Sequence, residues 1–118
     1  MYAENHTCII CFPGTSFSYV PIGCFKDKHN GIRPLPEMIG NHRNNINWYH
    51  MTETVMKCAK DAWAKNYTVF GVQFYGECWS GASSYKTYDK DGLNKIGCWE
   101  GVGRERNNYV YAFTSKRK

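Results

Sequence analysis

The chain has 118 residues, 42% of them hydrophobic and 21% charged, with a formal net charge of +5. That length holds one domain and one core, and the apolar content excludes a disordered tail. No apolar run approaches the roughly 18 residues of a membrane span, and without Lys116, Arg117 and Lys118 the balance is only 12 basic against 10 acidic residues, interleaved rather than clustered, which argues against a nucleic-acid surface.

Residues 1–18 read as an N-terminal extension. Met1 to Val20 lack the apolar core of about 7–15 residues that marks a signal peptide, so the chain reads as a mature or excised piece of a secreted protein. Asn5-His6-Thr7 is a glycosylation sequon, and Asn66-Tyr67-Thr68 is a second. Cys8-Ile9-Ile10-Cys11 is a tight cysteine pair followed by the turn residues Phe12-Pro13-Gly14. A redox pair needs a helix start or a cation to lower a thiol pKa, so this pair reads as a structural disulfide.

Val20 to Phe25 is a short strand candidate, with Val20, Ile22 and Cys24 in phase. Lys26 to Tyr49 is rich in Pro, Asn and Gly, and Glu37 to Asn45 within it suits a short helix that turns Met38 and Ile39 inward. Thr52 to Lys65 is the clearest element. Val55, Cys58, Ala59, Ala62 and Trp63 recur at spacings of three and four, which is one helix face. Thr52 suits the N-cap, Glu53 the first turn and Asn66 the stop. Glu53–Lys57 and Asp61–Lys65 stand at i,i+4 on the polar face.

Tyr67 to Tyr75 is a strand, with Phe70, Val72 and Phe74 alternating against Gly71, Gln73 and Tyr75. The second set is expected to face solvent or a ligand. Asp89 to Gly92 and Gly101 to Gly103 read as turns, and Asn108 to Thr114 as a last strand with Tyr109, Tyr111 and Phe113 on one face. Residues 115–118 form a basic tail.

The cysteines place the chain. Cys24, Cys58, Cys78 and Cys98 are scattered 20 to 34 residues apart, which is not zinc-ligand spacing. Six cysteines in a small chain read as an oxidised, extracellular framework.

Three segments together resemble the WSC domain, and more widely the PAN/apple-like cysteine-rich modules. They are Ile22-Gly23-Cys24-Phe25-Lys26-Asp27, the Cys58-Ala59 step on the helix, and the strand Tyr67 to Gln73 followed by Gly76-Glu77-Cys78-Trp79-Ser80-Gly81. Val110-Tyr111 fits the family's closing strand, and the match spans residues 19–114 as a divergent variant with fewer cysteines. The resemblance implies an α+β fold: one main helix on a small twisted antiparallel sheet, stapled by disulfides. It implies Cys58 bonded to Cys78 and Cys24 to Cys98, leaving Cys8 and Cys11 to pair with each other or with a part of a parent protein. It also implies carbohydrate binding or cell-surface adhesion.

Aromatic residues are 16% of the chain. Rings must fill a core poor in Leu and Ile, and Trp63 is assigned there, but rings beside Gly-rich loops also suit stacking on sugars. The candidate ligand-binding residues are Gln73, Tyr75, Glu77, Trp79, Tyr85 and Trp99. Glu77 and Glu100 each adjoin a Cys-Trp step, but sequence sets no distance between them and catalysis is not expected. Asp89-x-Asp91-Gly92 resembles the start of a calcium loop but lacks its later ligands, so it reads as a turn. His6, His29, His42 and His50 are dispersed. The expectation is a non-catalytic extracellular recognition module with no cofactor and no metal. Its partner would be a glycan or glycoprotein, and it would sit within a larger multi-module protein. The alternatives are a protein–protein adhesion module and a secreted basic defence protein or toxin.

Overall fold

A computed structural model describes residues 17–114. Cys8, Cys11 and the Asn5 sequon lie outside the described residues, as does the basic tail. The fold is α+β. Five strands form one sheet: β1 (Tyr19–Lys26), β2 (Glu37–Asn41), β3 (Val69–Gln73), β4 (Glu77–Ser80) and β7 (Asn107–Phe113), in the order β1-β7-β3-β4-β2. Every neighbouring pair is antiparallel. A separate hairpin pairs β5 (Cys98–Trp99) with β6 (Val102–Gly103). Helix α1 (Thr52–Ala64) packs on one face, and the single turn α2 (Ser84–Thr87) follows β4.

The helix forms where the apolar spacing places it, burying Thr54, Val55, Cys58, Ala59 and Ala62. Its end is a Schellman motif. Asn66 takes φ +63, its N–H donates to the Trp63 carbonyl, and Tyr67 N–H reaches back to the Ala62 carbonyl. Its start differs from expectation. Met51, not Thr52, occupies the N-cap, with a helical backbone and no side-chain cap. A preceding turn supplies the carbonyls instead: His50 accepts from Glu53 N–H and Met51 from Val55 N–H. The i,i+4 charges also look elsewhere. Asn47 donates to Glu53, Lys57 donates to the Asn45 carbonyl, Asp61 pairs with His42, and Lys65 pairs with Glu37.

Paired residues on neighbouring strands share a face. Phe70 opposes Tyr111, Val72 opposes Tyr109 and Cys78, and Tyr19 opposes Phe113. These residues form the larger core together with Val55, Ala59 and Ala62 of the helix. Trp63 packs against that core as assigned. The opposite face carries Val69, Val110, Phe25 and Trp79, covered by Leu35. Gly71 is the close approach that allows this: a Cβ there would lie 3.0 Å from both Leu35 and Asn108.

Two disulfides staple these layers, as the resemblance implied. Cys58–Cys78 ties helix to sheet with Cα atoms 5.2 Å apart, and Cys24–Cys98 ties β1 to the β5–β6 hairpin with Cα atoms 6.0 Å apart. Closing 20 and 74 residues respectively, they would contribute about 3 and about 4 kcal/mol by restricting the unfolded chain.

Three further expectations are corrected. Glu37 to Asn45 is not a helix; it is edge strand β2 followed by one 3-10 turn at Arg43–Asn45. Val20, Ile22 and Cys24 do not share a face, because the register slips between Pro21 and Gly23. The extra residue, Ile22, turns outward to 41% exposure. Edge position is what lets β1 carry Pro21, which has no N–H to donate. Finally, the turn near residue 101 is Glu100-Gly101, both at positive φ, while Val102–Gly103 is strand.

Candidate functional site

Two tight turns, between β3 and β4 and between β5 and β6, together with the loop of Trp48 build an aromatic cavity at one end of the sheet. Between β3 and β4, Phe74 and Tyr75 both take positive φ, +52 and +71, and Gly76 N–H closes onto the Gln73 carbonyl. This is the pattern of a type I′ turn, which normally calls for Asn or Gly. Aromatic residues there are strained. Neighbouring backbone holds them: Phe74 N–H donates to the Arg104 carbonyl and Tyr75 N–H to the Gly103 carbonyl. Arg43 covers the Phe74 ring at 3.7 Å.

The second turn presents Trp99. It sits on β5 one residue after the Cys24–Cys98 bridge, opposite Val102. Tyr111 Oη donates to the Gly101 carbonyl at 2.7 Å, so the hairpin tip is fixed to the interior strand β7. Burial pushes the Tyr111 hydroxyl pKa well above its ordinary value, with smaller contributions from Tyr109 and Tyr19.

Trp48 closes the third side. Asn47 positions it, accepting from Tyr49 N–H through its side chain and from His50 N–H through its carbonyl. Trp48 lies 5.6 Å from Tyr75 and 6.2 Å from Trp99, and Tyr75 lies 6.5 Å from Trp99, all at inclined angles. Together with Arg104 these rings line a cavity of about 390 Å³. Arg104 donates through Nη1 to the Ile96 carbonyl at 2.8 Å, and no carboxylate lies within ion-pair distance of it among the described residues.

Tyr75 and Trp99 of the six candidates meet here. Trp48 was missed by sequence reasoning. Its signal was a Trp-Tyr pair inside a polar loop with no core periodicity to account for it.

The other candidates have different surroundings. Gln73 does not face solvent; it is 2% exposed. Its Nε2 donates to Asp27 and Asn108, and its Oε1 lies 3.2 Å from His29 Nε2. All of β3 is buried, because residues 27–36 cover the face that alternation left open. Trp79 is also buried, with Arg33 stacked on it at 3.9 Å and its Nε1 donating to Glu77. Glu77 is therefore engaged by Trp79. Tyr85 is exposed on α2 beside Lys86 and does not line the cavity.

Asp27 is the buried charge of this side. It is fully buried, and accepts from Arg33 Nε and Nη2, from Gln73 and from His29 N–H. Asp91, in the calcium-like stretch, accepts from Lys28 N–H and pairs with Lys90. Partial burial raises its pKa, but those partners outweigh it and hold the carboxyl below the ordinary value.

Among the described residues, His42, Asp61 and Cys78 bring ligand atoms within 4.8 Å of one another. Cys78 is bonded to Cys58, so its sulfur is not a thiolate and the set falls short of a metal centre. No helix among the described residues is long and apolar enough to cross a membrane.

No family model, no curated protein and no solved structure matches this chain.

Proposed function

We propose that this domain is a non-catalytic recognition module that works outside the cell and binds a saccharide by ring stacking, as a divergent WSC-like module. The observation that carries the reading is the cavity of Trp48, Tyr75 and Trp99 with Arg104 on its wall. Its rings are inclined to one another, so a ligand can rest on one and be bounded by the others. Arg104 supplies hydrogen-bond donors for hydroxyls or an acidic group. The strained Phe74-Tyr75 turn supports the reading, since strain of this kind persists where a site requires it. Two disulfides, with no free cysteine among the described residues, support an oxidising compartment. The sequence resemblance to WSC modules points the same way. Weak single-site binding would gain from repetition in a multi-module parent.

Exposed apolar residues support a second reading, protein–protein adhesion. Tyr49 is 92% and Ile96 83% exposed, and both lie close in sequence or by hydrogen bonding to residues lining the cavity. A glycan array separates the two. Binding that is lost in Trp48→Ala supports the saccharide reading; no binding to any arrayed sugar moves the assignment to the protein partner.

A further inference from the structure

The hairpin that carries Trp99 stands beside a second cavity. It measures about 360 Å³ and is lined by Lys26, Asp27, Lys28, Asn94, Arg106 and Asn107. Three of these are exposed cations, and among the described residues none of the three has an acid within ion-pair distance of its side chain. The acid of the lining, Asp27, is already held by Arg33 and Gln73. Asp91, whose carboxylate accepts from Lys28 N–H, is paired with Lys90. The cavity thus carries an excess of cations: its Asp27 is paired with Arg33, and Asp91 is shared between Lys90 and, more weakly, Lys28.

Its walls are fixed by backbone bonds. Lys26 N–H donates to the Gly92 carbonyl, Asp27 N–H to Arg106, and Asn94 N–H to Cys24. Asn94 Nδ2 donates to Asn107 Oδ1, which ties two lining amides together. A site held this way loses little freedom when an anion enters.

The two cavities share a short stretch of chain. Arg104 lines the aromatic one, and Arg106 and Asn107 line the basic one. The Cα atoms of Arg104 and Arg106 are at most about 7 Å apart, since two residues reach no further. The two cavities are therefore neighbours along the chain, joined through residues 104–106.

We infer that the ligand is an acidic polysaccharide, whose ring stacks among Trp48, Tyr75 and Trp99 while a sulfate or carboxylate on the same chain occupies the cavity of Lys26, Lys28 and Arg106. This rests on the saccharide reading for the aromatic cavity and adds the anionic class and a second subsite.

The test titrates the full chain with dextran sulfate, polygalacturonate and neutral dextran, which separate sulfate, carboxylate and uncharged sugar. The double variant Lys28→Ala/Arg106→Ala is compared with Lys60→Ala/Lys86→Ala, which removes the same charge from exposed positions elsewhere. The expected result is tighter binding to one acidic polymer than to dextran. It should fall about tenfold in the first double variant and less than about twofold in the second. Equal losses in the two variants overturn the inference, as does equal affinity for a DNA duplex, because both mean unselective attraction of polyanions. Loss of binding in Trp48→Ala with none in Lys28→Ala/Arg106→Ala overturns the anionic subsite and leaves the saccharide reading standing. Loss in Lys28→Ala/Arg106→Ala with none in Trp48→Ala overturns the joint ligand by removing the saccharide reading beneath it.

Discussion

The guanidinium of Arg33 lies 3.9 Å from the centre of the Trp79 ring while its Nη2 donates to the Asp27 carboxylate at 2.6 Å. One side chain therefore covers the tryptophan and neutralises the buried charge below it. This cation–π stack accounts for why the Trp79 ring, beside glycines in sequence, does not stand open.

Removing Arg33 should leave Asp27 charged and buried without its bidentate partner. Arg33→Ala is expected to cost about 3 kcal/mol, measured by urea unfolding, because an unpaired buried charge costs more than its pair contributed. Affinity for a neutral saccharide at the aromatic cavity should be unchanged, since Arg33 does not line it, whereas an acidic saccharide should bind more weakly, because Asp27 lines the basic cavity.

The two disulfides should separate stability from binding. Cys58→Ser/Cys78→Ser is expected to lose about 3 kcal/mol with affinity retained in the folded fraction. Cys24→Ser/Cys98→Ser is expected to lose about 4 kcal/mol and also to weaken binding, because Cys98 adjoins Trp99 on the hairpin. Urea melts paired with titrations of the same samples check both.

Alkaline pH should expose the hairpin anchor. The Tyr111 pKa in the folded chain is raised above the ordinary 10.0, chiefly by burial. The sign follows: its contribution is complete below about pH 10 and is lost as pH rises toward the folded value. Stability measured against pH should fall in that window. In Tyr111→Phe the fall should be smaller, at the cost of about 1 kcal/mol for the hydrogen bond to Gly101 at neutral pH.

Close packing at Gly103 leaves no room for a side chain. A Cβ there would overlap the Asn107 carbonyl oxygen, far inside van der Waals contact, and lie 2.8 Å from that of Val72. Gly103→Ala is expected to destabilise by about 3 kcal/mol, read by thermal unfolding, because backbone atoms on both sides must move.

The helix and the strands β3 and β7 were legible because each has a strong period. Val55, Cys58, Ala59 and Ala62 repeat at helical spacing, and Phe70 and Val72 alternate with Gly71 and Gln73 on opposite faces as read. What alternation does not report is what covers the second face. Gln73 looked solvent-facing, but the irregular segment of residues 27–36 lies over it, and coil carries no period to read. The β2 strand was misread for a related reason. It is a five-residue edge strand with a register slip between Met38 and Gly40, so its apolar residues do not alternate. At the candidate site, Tyr75 and Trp99 stood out beside glycine-rich turns. Trp48 did not, because an Asx turn from Asn47 in a polar loop sets its position, and its contacts with Tyr75 and Trp99 are made only by the fold.

The central claim rests on the aromatic cavity, and Trp48 is its cleanest probe because it is 53% exposed and outside both described cores. The decisive measurement is the affinity of Trp48→Ala for the saccharide that binds the unmodified chain, with the urea midpoint recorded alongside. The account predicts a loss of about tenfold or more at an unchanged midpoint. Unchanged affinity at an unchanged midpoint would contradict it.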